Sequence, residues 1–213
     1  MGIGRAVKLA LGWAAPGMVL FRGSAGPPPR LALTFDDGPH ADHTRAILDA
    51  LAACGARATF FLQGAEAARH TVLVRAIHEG GHQVGNHGWS HSRASEVGSR
   101  AFVREAVDTQ ALLEDTLGRQ LPRIYRPPYG SVSPGAFLAL ARHGFRFVFW
   151  SLDSEDSFLR DPAELVTKLG KAPVRSGDIL LFHEDYAHTP VALPAIAMNL
   201  RARGFALVGV TDF

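Results

Sequence analysis

From Leu31 to Val208 the chain alternates short apolar runs with longer segments of helical period, and that alternation leaves few folds open. Leu31 to Phe35 reads as a buried strand, followed by a helix from Thr44 through Ala53. Ala58 to Leu62, rich in Phe and bounded by Gly55 and Gly64, is a second strand. A helix from Ala65 to Glu79 follows it and stops at Gly80-Gly81. His82 to Gly85 is the third strand. Ser99 to Leu117 is the clearest helix, with Phe102, Val103, Ala106, Val107 and Leu113 at helical spacing and Gly118 behind it. Arg123 to Tyr125, Phe145 to Trp150, Asp178 to Phe182 and Phe205 to Val208 supply strands four to seven. Helices over Pro134 to His143, from Asp161-Pro162 onward and over Pro190 to Arg203 separate them. Asp161 suits an N-cap and Pro162 the first helical position. Such a pattern implies one α/β domain with a parallel sheet, either a barrel or an open doubly wound sheet. The first strand runs into Asp36-Asp37-Gly38-Pro39 and not into a Gly-rich phosphate loop, which favours the barrel.

A length of 213 residues suits a single domain. The 22 basic and 20 acidic side chains leave a formal charge of +2, too little to wrap a nucleic acid. Cys54 is the one cysteine, so no intramolecular disulfide forms. No apolar run reaches the length of a stable membrane span. Residues 1–30 stand apart from the domain at 31–213. Arg5 and Lys8 precede the apolar stretch Leu9 to Phe21, and Gly23-Ser24-Ala25 follows, as in a weak secretory signal or anchor, which would place the protein at the cell envelope. Pro16-Gly17 interrupts that stretch. The other reading is therefore a short amphipathic helix and an extended Met18 to Phe21 packed on the domain, in a cytoplasmic protein. Nothing in the sequence specifies an oligomeric state.

In parallel α/β folds the active site forms at the carboxyl ends of the strands. There the sequence places Asp36 and Asp37; Asn86, His87 and His91; Arg126; Asp153 and Asp156; and His183 and Glu184. His87 and His91 are spaced i, i+4, which on a helical turn puts both imidazoles on one face, the spacing of a divalent-metal chelate. Either Asp36 or Asp37 supplies a third ligand, leaving positions open for water and substrate. Zinc heads the candidates, with cobalt, nickel and manganese compatible with the same ligands. The remaining aspartate is free to accept a proton. Arg126 precedes the rigid turn Pro127-Pro128-Tyr129-Gly130 and pairs with a carboxylate. His183, ending the run Ile179-Leu180-Leu181-Phe182, is the candidate general acid. Trp89 and Tyr129 are candidate cleft aromatics.

Thr34-Phe35-Asp36-Asp37-Gly38-Pro39, His87-Gly88-Trp89-Ser90-His91, Arg126-Pro127-Pro128-Tyr129-Gly130 and Leu181-Phe182-His183 resemble, in order, the motifs of the polysaccharide deacetylases. This is the NodB-homology group, or carbohydrate esterase family four. The resemblance runs from Leu31 to Phe213 and implies a distorted (β/α)7 barrel. It implies Asp37, His87 and His91 as metal ligands, Asp36 as general base and Arg126 as its orienting partner. It further implies His183 as general acid, Leu181 at the acetyl methyl and the Tyr129 backbone N–H at the oxyanion. The implied reaction is hydrolysis of an acetamide on a sugar, a carbohydrate substrate, with release of acetate. One motif departs from the family. Where an Asp-x-x-Asp-Trp segment is usual, this chain has Asp153-Ser154-Glu155-Asp156-Ser157. Asp156 remains available to keep His183 protonated, while Ser157 removes the Trp wall of the groove, a wall Phe158 is placed to supply. Competing functions are an amidase or deformylase on a smaller amide, an O-acetyl esterase, and a non-catalytic carbohydrate-binding barrel. The last predicts a broken base, ligand or acid, and all are present.

Overall fold

The structure, a computed structural model, describes residues 17–213. The described strands are β1 (Val19–Leu20), β2 (Arg30–Asp36), β3 (Thr59–Leu62), β4 (Gln83–Asn86), β5 (Ile124–Tyr125), β6 (Arg146–Val148), β7 (Leu152–Asp153), β8 (Ile179–His183) and β9 (Ala206–Val208). They form one parallel sheet in the order β1-β6-β5-β4-β3-β2-β8-β7, with β9 paired to the first half of β2. Residues 146–153 leave β5 as β6 and reach β8 as β7. One stretch of chain therefore supplies both β7, at one edge of the sheet, and β6, next to the opposite edge strand β1, as the sheet curls into a distorted barrel. The helices α1 (Thr44–Ala53), α2 (Gly64–Arg69), α3 (Thr71–Glu79), α4 (Ala94–Val97), α5 (Ser99–Leu117), α6 (Pro134–Arg142), α7 (Pro162–Lys171) and α8 (His188–Ala202) surround it. This is the single α/β domain expected.

Period-two alternation divides each buried strand between two environments. On β2, Leu31, Leu33 and Phe35 join the core that packs under the helices, while Ala32 faces the smaller cluster inside the barrel. Leu180 and Phe182 of β8 and Phe60 and Leu62 of β3 share the outer core, and Phe35 stacks on both Phe60 and Phe182. By the same alternation Thr34 and Asp36 point into the barrel with Ala32, and Leu181 and His183 with Ile179. Polar residues on these strands thus end up inside the barrel mouth.

Several boundaries differ from the sequence reading. The helix expected over residues 65–79 is two helices, because His70 leaves helical geometry (φ −128°, ψ 46°) and redirects the chain so that α3 buries Val74 and Ile77. The strand expected over residues 145–150 is shortened to β6, and α4 was not anticipated. Asp161 does cap α7, accepting the Ala163 N–H at 2.9 Å with Pro162 at the first position. Of the extended run expected over residues 18–21, Val19–Leu20 forms β1: the Phe147 and Phe149 N–H groups donate to the Met18 and Leu20 carbonyls, and Phe21 stacks on Phe149. Arg5, Lys8, the amphipathic helix and the first part of the signal-like stretch fall in residues 1–16, outside the described residues. Among the described residues no helix is long and apolar enough to cross a membrane.

Candidate active site

Asp36, the last residue of β2, pairs in register with His183, the last of β8. Arg126, just beyond β5, reaches across the barrel to Asp36 and is fully buried. Its Nη1 donates to Asp36 Oδ1 at 2.7 Å and to Thr34 Oγ1 at 2.9 Å. Nε and Nη2 donate to the carbonyls of Val148 and Phe149, each at 3.2 Å, and the guanidinium lies 4.2 Å from the centre of the Phe61 ring. The Thr34 hydroxyl donates in turn to Leu180 O. A buried cation costs several kcal/mol unless its donors are used, and here each nitrogen has an acceptor. The network leaves Asp36 Oδ2 as the carboxylate oxygen not held by the arginine.

Asp37, His87 and His91 come together beside Asp36. Their ligand atoms lie within 4.8 Å of one another. Asp37 Oδ1 is 3.5 Å from His87 Nε2 and 3.2 Å from His91 Nε2. Asp37 has φ +73°, and both aspartates reach His87 Nε2, Asp36 through Oδ2 at 3.7 Å, while Arg126 binds only Asp36. His87 Nδ1 sits 2.7 Å from Arg126 O; a carbonyl only accepts, so Nδ1 carries a proton and Nε2 is the ring nitrogen turned toward Asp37. Gln63 donates from Nε2 to Asp37 Oδ1 at 2.9 Å. One carboxylate and two imidazole nitrogens at this separation, oriented by outer partners and reached from a cavity, fit a divalent transition-metal ion. Burial alone would raise the Asp37 pKa. The hydrogen bond and charge of His87, then the charges of His91 and His183, outweigh it and hold the carboxyl below its usual range.

The helical turn expected for the histidine pair is absent. Residues 87–91 form a loop in which Gly88 (φ +80°) and His91 (φ +55°) take left-handed conformations, and this bend brings the rings to 5.0 Å. Asn86 braces it, donating to Ala106 O and accepting the Gly88 N–H.

His183 Nδ1 donates to Asp156 Oδ1 at 2.8 Å. Asp156 Oδ2 accepts the His183 backbone N–H at 2.8 Å and the Thr189 hydroxyl at 3.1 Å. Asp156 is fully buried. Burial would lower the imidazole pKa, but the hydrogen bond to Asp156 and its charge, followed by the charges of Asp36 and Asp37, push His183 up to about 9. The imidazole is therefore cationic at neutral pH, with Nε2–H left for exchange.

These groups line one cavity of about 630 Å³, with Tyr129, Trp150, Phe158 and Leu181 among its other walls. Of the nine residues to which the family resemblance assigns a role, Asp36, Asp37, His87, His91, Tyr129, Leu181 and His183 line the cavity, while Arg126 and Asp156 lie directly behind it. Tyr129 is about half exposed at φ +58°. Two expectations fail. Trp89 is absent from the cavity wall; its ring packs where a side chain on Gly64 would stand, and Trp150 serves as the cavity tryptophan. Glu184, expected at the rim, turns into the protein, where it is fully buried against the Thr44 hydroxyl and pushed up to about 8 chiefly by burial. The sequence reading also missed Gln63 and Arg93. Gln63 directly follows β3, so the strand-end rule that found the others marks it equally.

Residues 23–148 match the family model described as polysaccharide deacetylase. The peptidoglycan-N-acetylglucosamine deacetylase PgdA of Listeria monocytogenes is 33% identical over 183 residues, 86% of this chain, which spans 38% of that relative's length. A peptidoglycan-N-acetylglucosamine deacetylase of Bacillus cereus is 31% identical over 186 residues, covering 85% of this chain and 86% of the relative. A family 4 carbohydrate esterase from Streptomyces lividans, solved in complex with acetate, superposes with a TM-score of 0.77 at 33% identity, covering 84% of this chain and 91% of that one.

Proposed function

Because the chain belongs to the polysaccharide deacetylase family, we propose that it removes acetyl groups from N-acetylated sugars of peptidoglycan or a related polysaccharide, releasing acetate. The observation that carries this reading is the sharing of one cavity by three groups: the Asp37–His87–His91 cluster, Asp36 held by Arg126, and His183 held by Asp156. An amide is a poor electrophile with a poor leaving group, and water is a poor nucleophile. Each difficulty has an assigned group.

Asp37, His87 and His91 would hold a divalent metal, Zn²⁺ first among the candidates. Such an ion, when bound, polarises the amide carbonyl and acidifies water. Asp36 takes the proton of the attacking water. Its Oδ1 is occupied by Arg126, so Oδ2, 3.7 Å from His87 Nε2, receives it. The backbone N–H of Tyr129 supports the developing oxyanion. His183 passes its Nε2 proton to the amine nitrogen as the C–N bond breaks, so the leaving group departs neutral. Leu181, nearly fully buried at the cavity floor, packs on the acetyl methyl. Beside Ser157, Phe158 is 81% exposed on the cavity wall and offers an apolar face to a sugar ring.

The test is acetate release from chitooligosaccharides, peptidoglycan, acetylated xylan and small amides, with and without prior chelation. N-acetyl sugars are the expected substrates, with activity lost on chelation and restored by Zn²⁺. Asp36→Asn keeps metal bound while turnover falls by about 10²-fold or more. Activity confined to xylan esters or small amides refutes the substrate reading. Full activity after exhaustive chelation refutes the metal reading.

A further inference from the structure

At the opposite end of the barrel, below the starts of β3, β4 and β5, lies a second cavity of about 260 Å³. Arg57, His78, His82 and Arg119 line it, and no residue of the proposed catalytic site takes part. Helix C-termini crowd this end of a βα fold, and both arginines donate to groups near such ends. Arg57 Nε donates to Gly81 O at 3.0 Å, just past α3, and Arg119 Nη1 to His78 Nε2 at 3.3 Å. Neither guanidinium has a carboxylate partner among the described residues. Each keeps its charge and most of its five N–H donors. His82 is only 5% exposed, and its Nδ1 is buried without a hydrogen-bond partner. Burial, and then the charge of Arg57, push this imidazole down to about 4, so it is neutral and able to carry its single proton on Nδ1. The carboxylate that lines the cavity, Asp212, is bound locally, accepting the Gly209 N–H at 3.0 Å.

Two guanidinium groups without a carboxylate partner line one concave site, with the unpartnered imidazole nitrogen of His82 buried behind its wall, and an oxyanion completes such a donor set. We propose that this cavity binds a phosphate-class anion, independently of the catalytic cavity. Its donors exceed what the two oxygens of a carboxylate employ. The volume admits a single charged group, whether the free ion or one phosphodiester of a polymer.

Isothermal titration of the full chain with inorganic phosphate and with a glycerol-phosphate oligomer tests this. The double variant Arg57→Gln/Arg119→Gln is expected to bind either probe about tenfold or more weakly than wild type. Its deacetylation of a soluble chitooligosaccharide is expected to match wild type, which also shows that the variant is folded. In wild type, phosphate is expected to shift the NMR signals of the His82 ring. Tighter binding per phosphate by the oligomer assigns the site to a polymer, and equal binding assigns it to the free ion. No binding to wild type, equal affinity in wild type and variant, or an unmoved His82 signal overturns the proposal.

Discussion

Replacing Asp156 by asparagine tests the acid half of the proposed site. Asp156 accepts three hydrogen bonds, one from His183 Nδ1 and two at its other oxygen from the His183 backbone and Thr189. Asparagine has one acceptor oxygen. With that oxygen serving the backbone and Thr189, the amide NH₂ faces His183 Nδ1 and requires it to accept, which favours the neutral ring. The imidazole then keeps its burial without the carboxylate that offsets it. His183 is pushed from 6.5 up to about 9 in the wild type. A return to its ordinary value forfeits about 2.5 units, or about 3 kcal/mol. At pH 8 about 90% of the wild-type imidazole carries the acidic proton against about 3% in the variant, a loss of about 30-fold in kcat/KM. The assay is acetate release from a chitooligosaccharide between pH 5 and 10. The alkaline limb is expected near 9 in the wild type and near 6.5 in Asp156→Asn. Stability carries the same signature: a raised histidine pKa stabilises the fold below about 6.5, and the contribution is lost as pH rises through about 9. Wild-type stability should fall across that window and the variant's should not. An alkaline limb unmoved by the substitution would refute the assignment of His183 as an acid tuned by Asp156.

Three further outcomes follow from the packing. Arg126→Met leaves Asp36 buried without its cation and two backbone carbonyls without donors, so urea unfolding should show a loss of about 3–5 kcal/mol together with loss of activity. Gly38→Ala would place a Cβ 1.7 Å from Glu184 Oε1; the buried carboxyl must move, and the expected cost is about 1–3 kcal/mol, read as a lower melting temperature. Phe158→Ala removes a side chain that is 81% exposed, so stability should stay within about 0.5 kcal/mol while KM for long oligomers rises about threefold to tenfold and kcat is unchanged.

Much of the fold was legible because its signals are local. Residues 31–36 alternate between two apolar environments, so Thr34 and Asp36 share a face in any buried strand, whatever sheet receives it. Asp161-Pro162 carries its own helix start. Strand-end placement then selected Asp36, Asp37, His87, His91, Arg126 and His183 without knowledge of any partner. The breaks at His70 and between β6 and β7 left no comparable mark, because tertiary packing decides them. The histidine pair met through a left-handed bend at Gly88 and His91 where helical spacing suggested a turn of helix. The choice of Trp150 over Trp89 for the cavity, and the inward turn of Glu184, likewise depended on what stood opposite.

Sequence alone determined which residue types lie at the barrel mouth, since side-chain period and turn chemistry belong to short segments. Only the tertiary structure decided what those residues are chemically. Arg126 meets Asp36 across 90 positions, and Asp156 meets His183 across 27. Ligand geometry, the surviving carboxylate oxygen and the protonation of His183 arise from distances and burial that the closed barrel creates, and electrostatics in a dry interior answers to those alone.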